Sequence, residues 1–343
     1  MNILFVHNHP STFVRQDMNC LRIRHKVTEL HLISRRVDPV AIWRLVSAHD
    51  FVFGWFASWH TFLPVLFSKI LNKPSALVIG GYDLANNPEI GYGHQRGGIK
   101  KWVSRATICL SSRLITNSWH SEKEARENAG LRSQRVHVVY HGIPDLFGEL
   151  PRMPRARMAI TIGNVDKSTL QRKGLVAFVR AARSLPDVRF VVIGAWKDSS
   201  IDYLRALAGP NVEFTGWVDE ETLMHYCQRA SVSVQASLHE GFGMAVAETM
   251  LGGCIPVVTS NGALPEVAGE CGVYADSTQP DNLARAISTA LDKPAAARME
   301  ARRRILTHFP VHMRHNALLN IVSHAAGTTS ESAAGNSHLW STR

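Results

Sequence analysis

The stretch Ser231–Gly269, SVSVQASLHEGFGMAVAETMLGGCIPVVTSNGALPEVAG, decides the fold. A buried strand ends near Gln235, a short loop follows, and a helix begins around Phe242–Gly243 and runs to about Leu251. Gly252 and Gly253 stop the helix, and Ile255–Val258 is the next strand. Such a run is one βα unit of a parallel sheet covered on both faces. Two acids sit on it. Glu240 precedes the helix, and Glu248 lies about five residues into it, roughly 7 Å along the axis. Helical side chains lean toward the N-terminus, so both carboxylates can face the space above that end. The same end carries free backbone N–H groups and a partial positive charge, which suits a diphosphate. Gly241 and Gly243 let a ligand approach the backbone closely. A diphosphate flanked by hydroxyl-binding carboxylates describes a nucleotide-sugar, with Glu248 on the ribose and Glu240 on the sugar.

Outward from this segment the pattern repeats. Ala159–Ile162, Arg189–Ile193, Val212–Thr215 and Gly272–Tyr274 read as further strands of the same domain. Asn2–His7, Lys26–Ser34, Phe51–Phe56, Ser75–Ile79, Arg113–Asn117 and Arg135–Tyr140 form an earlier series. Between these lie helical segments such as Ser121–Ala129, where Ser121 is placed to cap and Glu124 stands at the capping-box offset. Gly148–Arg157, with two prolines and three arginines, reads as a linker. The 343 residues exceed one ordinary core and fit two domains. The fold class is therefore α/β, with two Rossmann-like βα domains facing across a cleft. Phe51–Leu71 is apolar enough to suggest a membrane span, but Gly54, His60, Pro64 and Lys69 interrupt it. A buried strand followed by a buried helix accounts for it better.

The segments HEGFGMAVAE (His239–Glu248), GGCIPVV (Gly252–Val258) and ALPEV (Ala263–Val267) resemble the signature of retaining glycosyltransferases of family 4, which have the GT-B fold. Their paired glutamates, with seven residues between them, are matched by Glu240 and Glu248. The resemblance covers nearly all of residues 1–324, closely in the second domain and loosely in the first. It implies four segments. Residues 1–150 form an acceptor domain and 151–310 a nucleotide-sugar domain; 311–324 form a helix packing back on the first domain, and 325–343 a disordered tail. It implies that Lys173 binds the donor diphosphate and that Glu240 orients the sugar, making these two the catalytic pair. Donor contacts then fall to Glu248, Gly241, Phe242, Gly243, Met244, Asn164 and Arg172, with Trp217 and Val218 near the nucleobase. Many members carry Arg where this chain has Asn164, so Arg172 or Lys167 could supply the second phosphate contact. Pro265-Glu266 shapes the domain. On the acceptor side Gly81, Tyr82, Asp83 and His120 line the cleft; the loop Gly80–Asn87 has no histidine where many members carry one. No metal and no cofactor are implied, the nucleotide-sugar being a substrate. The reaction implied moves a sugar to the hydroxyl of a glycan, a lipid or a small molecule.

Charge adds a further expectation. The chain carries 38 Lys+Arg against 28 Asp+Glu, a net +10, which suggests an anionic partner. Residues 1–150 hold 18 basic against 11 acidic side chains, so most of the surplus sits in the first domain. Arg96, Lys100, Lys101, Arg105 and Arg113 occur with no acid between Ile90 and Ser121, and Ile99, Trp102, Val103, Ala106 and Leu110 fall at helical spacing. Residues 96–113 thus read either as a core-facing helix with a solvated basic face or as a helix resting on anionic lipid or an anionic acceptor.

Cys20, Cys109, Cys227, Cys254 and Cys271 are scattered and read as reduced core residues. MNILFVHNHP does not read as a signal peptide. The expected location is cytoplasmic, or peripheral at the inner membrane face. His7 and His9 read as loop histidines, since no neighbouring carboxylate or third histidine completes a metal site.

Three rivals are weaker. An oxidoreductase needs G-x-G-x-x-G after the first strand, and His7–Thr12 has no glycine. A GT-B nucleotide-sugar epimerase shares the architecture but turns over without an acceptor. A non-catalytic nucleic-acid binder fits the charge but lacks an aromatic strand motif or zinc spacing, so no specific nucleic-acid partner is expected.

Overall fold

The computed structural model describes residues 1–34, 37–132, 136–150, 155–325 and 327. The expected strand start at Arg135, the middle of the linker, and the tail after Ala325 (Gly327 apart) lie outside them.

The first series of strands is β1 (Asn2–His7), β2 (Lys26–His31), β3 (Phe51–Trp55), β4 (Ser75–Ile79), β5 (Arg113–Thr116) and β6 (Val136–Val138). Its helices are α1 (Thr12–Arg22), α2 (Pro39–Ala48), α3 (Trp59–Ile70), α4 (Gly98–Leu110) and α5 (Trp119–Glu127). The second series is β7 (Ala156–Ile162), β8 (Arg189–Ile193), β9 (Val212–Gly216), β10 (Ala230–Gln235), β11 (Ile255–Val258) and β12 (Val273–Tyr274). With it come α6 (Thr169–Arg172), α7 (Leu175–Ala181), α8 (Ser200–Leu207), α9 (Glu220–Arg229), α10 (Met244–Leu251), α11 (Leu264–Ala268), α12 (Pro280–Leu291) and α13 (Ala295–His308). A last helix, α14, spans Val311–Ala325.

The strands form two six-stranded sheets, ordered β2-β1-β3-β4-β5-β6 and β12-β11-β10-β7-β8-β9. Every neighbouring pair is parallel. Helices cover both faces, which is why central strands such as FVFGW and SALVI are buried at every residue and read as unbroken apolar runs. The chain switches sides between β1 and β3 in one sheet and between β7 and β10 in the other. Crevices open at the carboxyl ends of strands at such switch points. The apolar stretch Phe51–Leu71 is the strand β3 and the helix α3, and among the described residues no helix is long and apolar enough to cross a membrane.

Local sequence sets the boundaries. Asp38 accepts from Val40 N and Pro39 opens α2; Asp219 accepts from Thr222 N ahead of α9. The structure departs from the sequence reading in several places. The strand β7 starts at Ala156, so the linker ends two residues early, with the Arg155 guanidinium donating to the carbonyls of Cys227, Ala230 and Gly252. The cap of α5 is Ser118, not Ser121. Ser118 is extended and accepts from Ser121 N at 3.0 Å, which leaves Ser121 inside the helix and Glu124 on its flank. In α4, Ser104, Thr107 and Ile108 face inward, held by Gln95 Nε2 donating to Ser104 Oγ at 3.0 Å and Ser104 Oγ to Asp83 O at 3.2 Å. Ile99 and Trp102 are therefore turned outward, 79% and 73% exposed. The five cysteines are free; Cys20, Cys227 and Cys254 are buried, but Cys109 is exposed rather than in a core.

The helix α14 returns to the first domain. Leu318, Leu319, Ile321 and Val322 share a core with Ile3, Phe5 and Phe53. Arg314 forms two bonds to the Asp17 carboxylate on α1, 2.6 and 2.7 Å, and donates to the carbonyls of Val139 and Tyr140. Both partners are at most 2% exposed. Removing one partner of a buried pair leaves an uncompensated charge and costs about 3–5 kcal/mol, whereas replacing both with apolar residues is often near neutral. Arg314→Met should therefore lower stability to urea by that amount, and adding Asp17→Leu should restore most of it. A loss under about 1 kcal/mol in the single variant would show that this pair does not hold α14 in place.

Candidate active site

A cavity of about 1140 Å³ lies between the two sheets. The second domain contributes the turn after β7 (Ile162, Gly163, Asn164), Arg172 and Lys173 beyond it, and the segment from Gln235 at the end of β10 to Glu248 on α10. The first domain contributes Asn8 and Thr12 after β1, Phe56 to His60 after β3, Gly80 to Asp83 after β4, and Tyr92, His94, Ile99 and Val103. Many of these lie in the loops that follow strand ends, where crevices form at switch points, and the rest lie on the helices beyond them.

Glu240, Glu248 and Lys173 line this one cavity. Lys173 Nζ lies 3.7 Å from Glu240 Oε2. Gln235 Nε2 and Ser237 Oγ also approach that oxygen, at 3.4 and 3.5 Å. Lys173 caps α6, and Gly174 follows with φ +69, where a Cβ would stand 2.2 Å from the Ala236 carbonyl. That glycine lets α7 start against β10 and so brings Lys173 beside Glu240. Among the described residues the Glu248 carboxylate has no hydrogen bond or ion pair, its backbone carbonyl accepting from Gly252 N. Burial raises its carboxyl to about 7, Lys173 partly offsetting this and Glu220 adding to it.

The other expected site residues divide. Gly241, Gly243, Met244, Asn164 and Arg172 line the cavity. Arg172 stacks its guanidinium over the Tyr92 ring, 4.9 Å from the centroid, and so reaches across to the first domain. Phe242 lines the cavity mainly through its backbone. Its 3% exposed side chain packs against Tyr140, His141 and Phe309 in a core shared by the two domains. Trp217 is 75% exposed, Val218 packs against the second-domain core, and neither borders the cavity. Gly81 and Tyr82 line it, with the Tyr82 ring against Tyr92 and His94. Asp83 does not offer its carboxylate to the cleft. It is 1% exposed, and its two oxygens accept from Ala57 N and Gly80 N, tying two loops of the floor together. Burial raises its carboxyl to about 7 against these bonds. His120 stands at the seam between the domains, away from the cavity wall.

That seam is what sequence reasoning left unread. Gly241 packs so closely that a Cβ there would lie 3.1 Å from Gly81 N. Its carbonyl accepts from Ser118 Oγ at 2.8 Å and Ser121 Oγ at 3.3 Å. Glu266 shapes more than its own domain: its oxygens accept from Trp119 N and His120 N at the start of α5 and from Tyr140 OH. His239 Nε2 meets both Glu124 oxygens at 3.0 and 3.1 Å. Two imidazoles, those of His120 and His239, hold the Glu124 carboxyl below its ordinary value despite burial. His60, His94 and His141 also border the cavity. Burial lowers His60 to about 4 and His141 well below the usual imidazole value. Near the opening strand, Glu29 on β2 does approach His7, Nε2 to Oε1 2.8 Å, a carboxylate that chain proximity did not reveal.

A cleft between two parallel-sheet domains defines a class of fold, and comparison with known proteins agrees with it. Residues 156–293 match the family described as Glycosyl transferases group 1. Glycogen synthase of Mycobacterium tuberculosis is 29% identical over 213 residues, 60% of this chain and 50% of that protein. O-antigen chain mannosyltransferase B of Escherichia coli is 31% identical over 143 residues, 39% of this chain and 36% of that protein. The chain thus spans half or less of the length of these relatives. The crystal structure of Anabaena HepE in complex with UDP and glucose superposes with a TM-score of 0.74 at 16% identity, covering 94% of this chain and 99% of that one. Sucrose-phosphate synthase from Thermosynechococcus elongatus gives 0.75 at 17% identity, covering 96% and 100%. The fold is the two-domain GT-B fold.

Proposed function

We propose that this protein is a retaining glycosyltransferase that moves a sugar from a nucleoside-diphosphate-sugar to an acceptor hydroxyl. The observation that carries this reading is the convergence of Glu240, Glu248 and Lys173 with the glycine-flanked start of α10 on one cavity between the sheets. Resemblance to sugar-transferring relatives and to a fold seen with UDP and glucose supports it.

In this reading the donor diphosphate rests on the N–H groups near Gly241–Gly243, with Lys173 over the leaving oxygens and Arg172 as the second cation. Asn164, which carries no charge, lines the turn beside them. The diphosphate gains negative charge as the anomeric bond breaks. Lys173 and the helix start stabilise that charge, in a site where water is largely excluded. Glu240 holds the sugar hydroxyls and Glu248 the ribose. The departing phosphate takes the acceptor proton, and no metal enters the transfer step. Gly81 and Tyr82 border the acceptor. A GT-B epimerase is the less favoured alternative, and turnover that needs an acceptor separates the two.

The acceptor is, in the same reading, lipid-borne and met at an anionic membrane face. Ile99 and Lys100 border the cavity mouth, and Trp102 stands exposed on the same helix beside Lys101. A helix end with outward aromatic, aliphatic and basic side chains suits an anionic headgroup layer.

A thermal-shift panel of UDP, GDP, ADP and their sugars identifies the donor, since a ligand bound only by the native state raises the melting point. With that nucleotide-sugar, Glu248 sets a pH dependence. A carboxyl at about 7 is mostly neutral below that pH, and ribose hydroxyls donate to the ionised form. Donor affinity should thus rise about tenfold between pH 6 and pH 8. Ligand-free stability contributed by neutral Glu248 should fall as pH rises from its ordinary range through 7. Glu248→Gln should abolish the affinity change; the same pH slope in both proteins would refute the ribose assignment. Lys173→Ala should lower turnover by about 10²–10³ with a smaller effect on donor affinity, and Glu240→Ala should likewise act mainly on turnover. A larger loss in Arg172→Ala than in Lys173→Ala would move the phosphate role to Arg172. Trp102→Glu should release the protein from phosphatidylglycerol vesicles in a flotation assay, and equal flotation of variant and parent would exclude α4 as the contact.

A further inference from the structure

Beside the cleft, three side chains converge where the transfer reaction has no need of them. His120 and Glu124 stand one turn apart on α5 of the first domain. His239 comes from the second-domain loop that leads into Glu240. His239 Nε2 lies 3.0 and 3.1 Å from the two Glu124 oxygens, and His120 Nε2 lies 3.6 Å from Oε2. One ligand atom from each residue lies within 4.8 Å of the others. Around a tetrahedral cation with bonds of about 2.0–2.1 Å, ligand atoms stand about 3.3 Å apart. The three side chains therefore need only small movements to share one ion.

Two features go beyond spacing. His120 Nε2 is buried and takes no hydrogen bond, although it points at the same carboxylate as His239. The rings are also fixed in place, His239 against His120 at 5.8 Å and against Tyr92 at 5.1 Å. Glu124 and His239 are buried, while the His120 side chain is 27% exposed, which gives an ion an entry route and leaves room for water as a fourth ligand.

We infer that His120, Glu124 and His239 form a binding site for a zinc-class divalent cation that bridges the two domains. Two imidazole nitrogens and one carboxylate suit Zn²⁺ or Co²⁺; Mg²⁺ and Ca²⁺ prefer all-oxygen sets. The sequence reading expected no metal, and this ion departs from that expectation at a place outside the reacting centre. Because its ligands come from both domains, the ion binds the closed arrangement and holds it closed. Because His239 precedes Glu240, the ion also fixes the loop that carries the sugar-binding carboxylate.

The test uses the full chain, stripped with a chelator and titrated with Co²⁺. One equivalent should give a visible d–d absorption band of a low-coordinate site, and Zn²⁺ should displace it. His120→Ala and His239→Ala should each weaken Co²⁺ binding by at least about a hundredfold, since even outer-shell changes cost 10–100-fold. His225→Ala, an exposed histidine elsewhere, should leave it unchanged. Absence of a stoichiometric band, or equal affinity in parent, His120→Ala and His239→Ala, would overturn the site. Circular dichroism of each variant separates loss of the ligand from loss of the fold. No donor or acceptor is present in this experiment, so its failure leaves the transferase reading standing.

Discussion

The two domains are held by groups that neither domain could satisfy alone. The first backbone N–H groups of a helix have no partner within that helix. At the start of α5 those of Trp119 and His120 find theirs in Glu266, a carboxylate of the other domain. A few residues away the Gly241 carbonyl is taken by two serines of the first domain, and no side chain separates Gly241 from Gly81. Opening the cleft exposes these groups to water, and closing it pairs them. The position of Glu240 relative to the first domain depends on this exchange, because Gly241 is its immediate neighbour.

The cleft also contains an electrostatic conflict. Two carboxylates, those of Glu240 and Glu248, border one cavity, and like charges at close range repel. Lys173 offsets one of them through its 3.7 Å approach to Glu240. The other, Glu248, is eased by burial, which raises its carboxyl to about 7 and so favours the neutral form up to that pH. Asp83, equally raised, is occupied by backbone donors and so belongs to the floor of the site rather than its chemistry. The two acids thus share a shift and differ in partners.

The fold was legible because its strands are buried on both faces, so each reads as an apolar run ended by glycine or a polar turn. The second domain's share of the cavity was legible for another reason: Gly241, Gly243, Glu240 and Glu248 lie within ten residues of one another, and chain proximity stands in for spatial proximity. The first domain offers no such shortcut. Tyr92 meets Arg172, Glu124 meets His239 and Ser118 meets Gly241 across large sequence separations. Helical spacing gave the helix α4 but left open which face turns inward. Buried bonds among Gln95, Ser104 and Asp83 turn polar residues inward, so the apolar residues Ile99 and Trp102 face solvent. Phe242 sits within the most recognisable motif of the chain, yet its ring fastens the two domains together.

The return of α14 has a consequence for how such a protein can be rearranged. The chain enters the first lobe, leaves it for the second, and comes back to complete the core it began with. A fragment cut after the sixth strand would lack Leu318, Leu319, Ile321 and Val322 and would leave Asp17 with no guanidinium to answer it. Grafting a different second lobe onto this first lobe therefore requires an internal replacement, with the closing helix kept in the recipient gene.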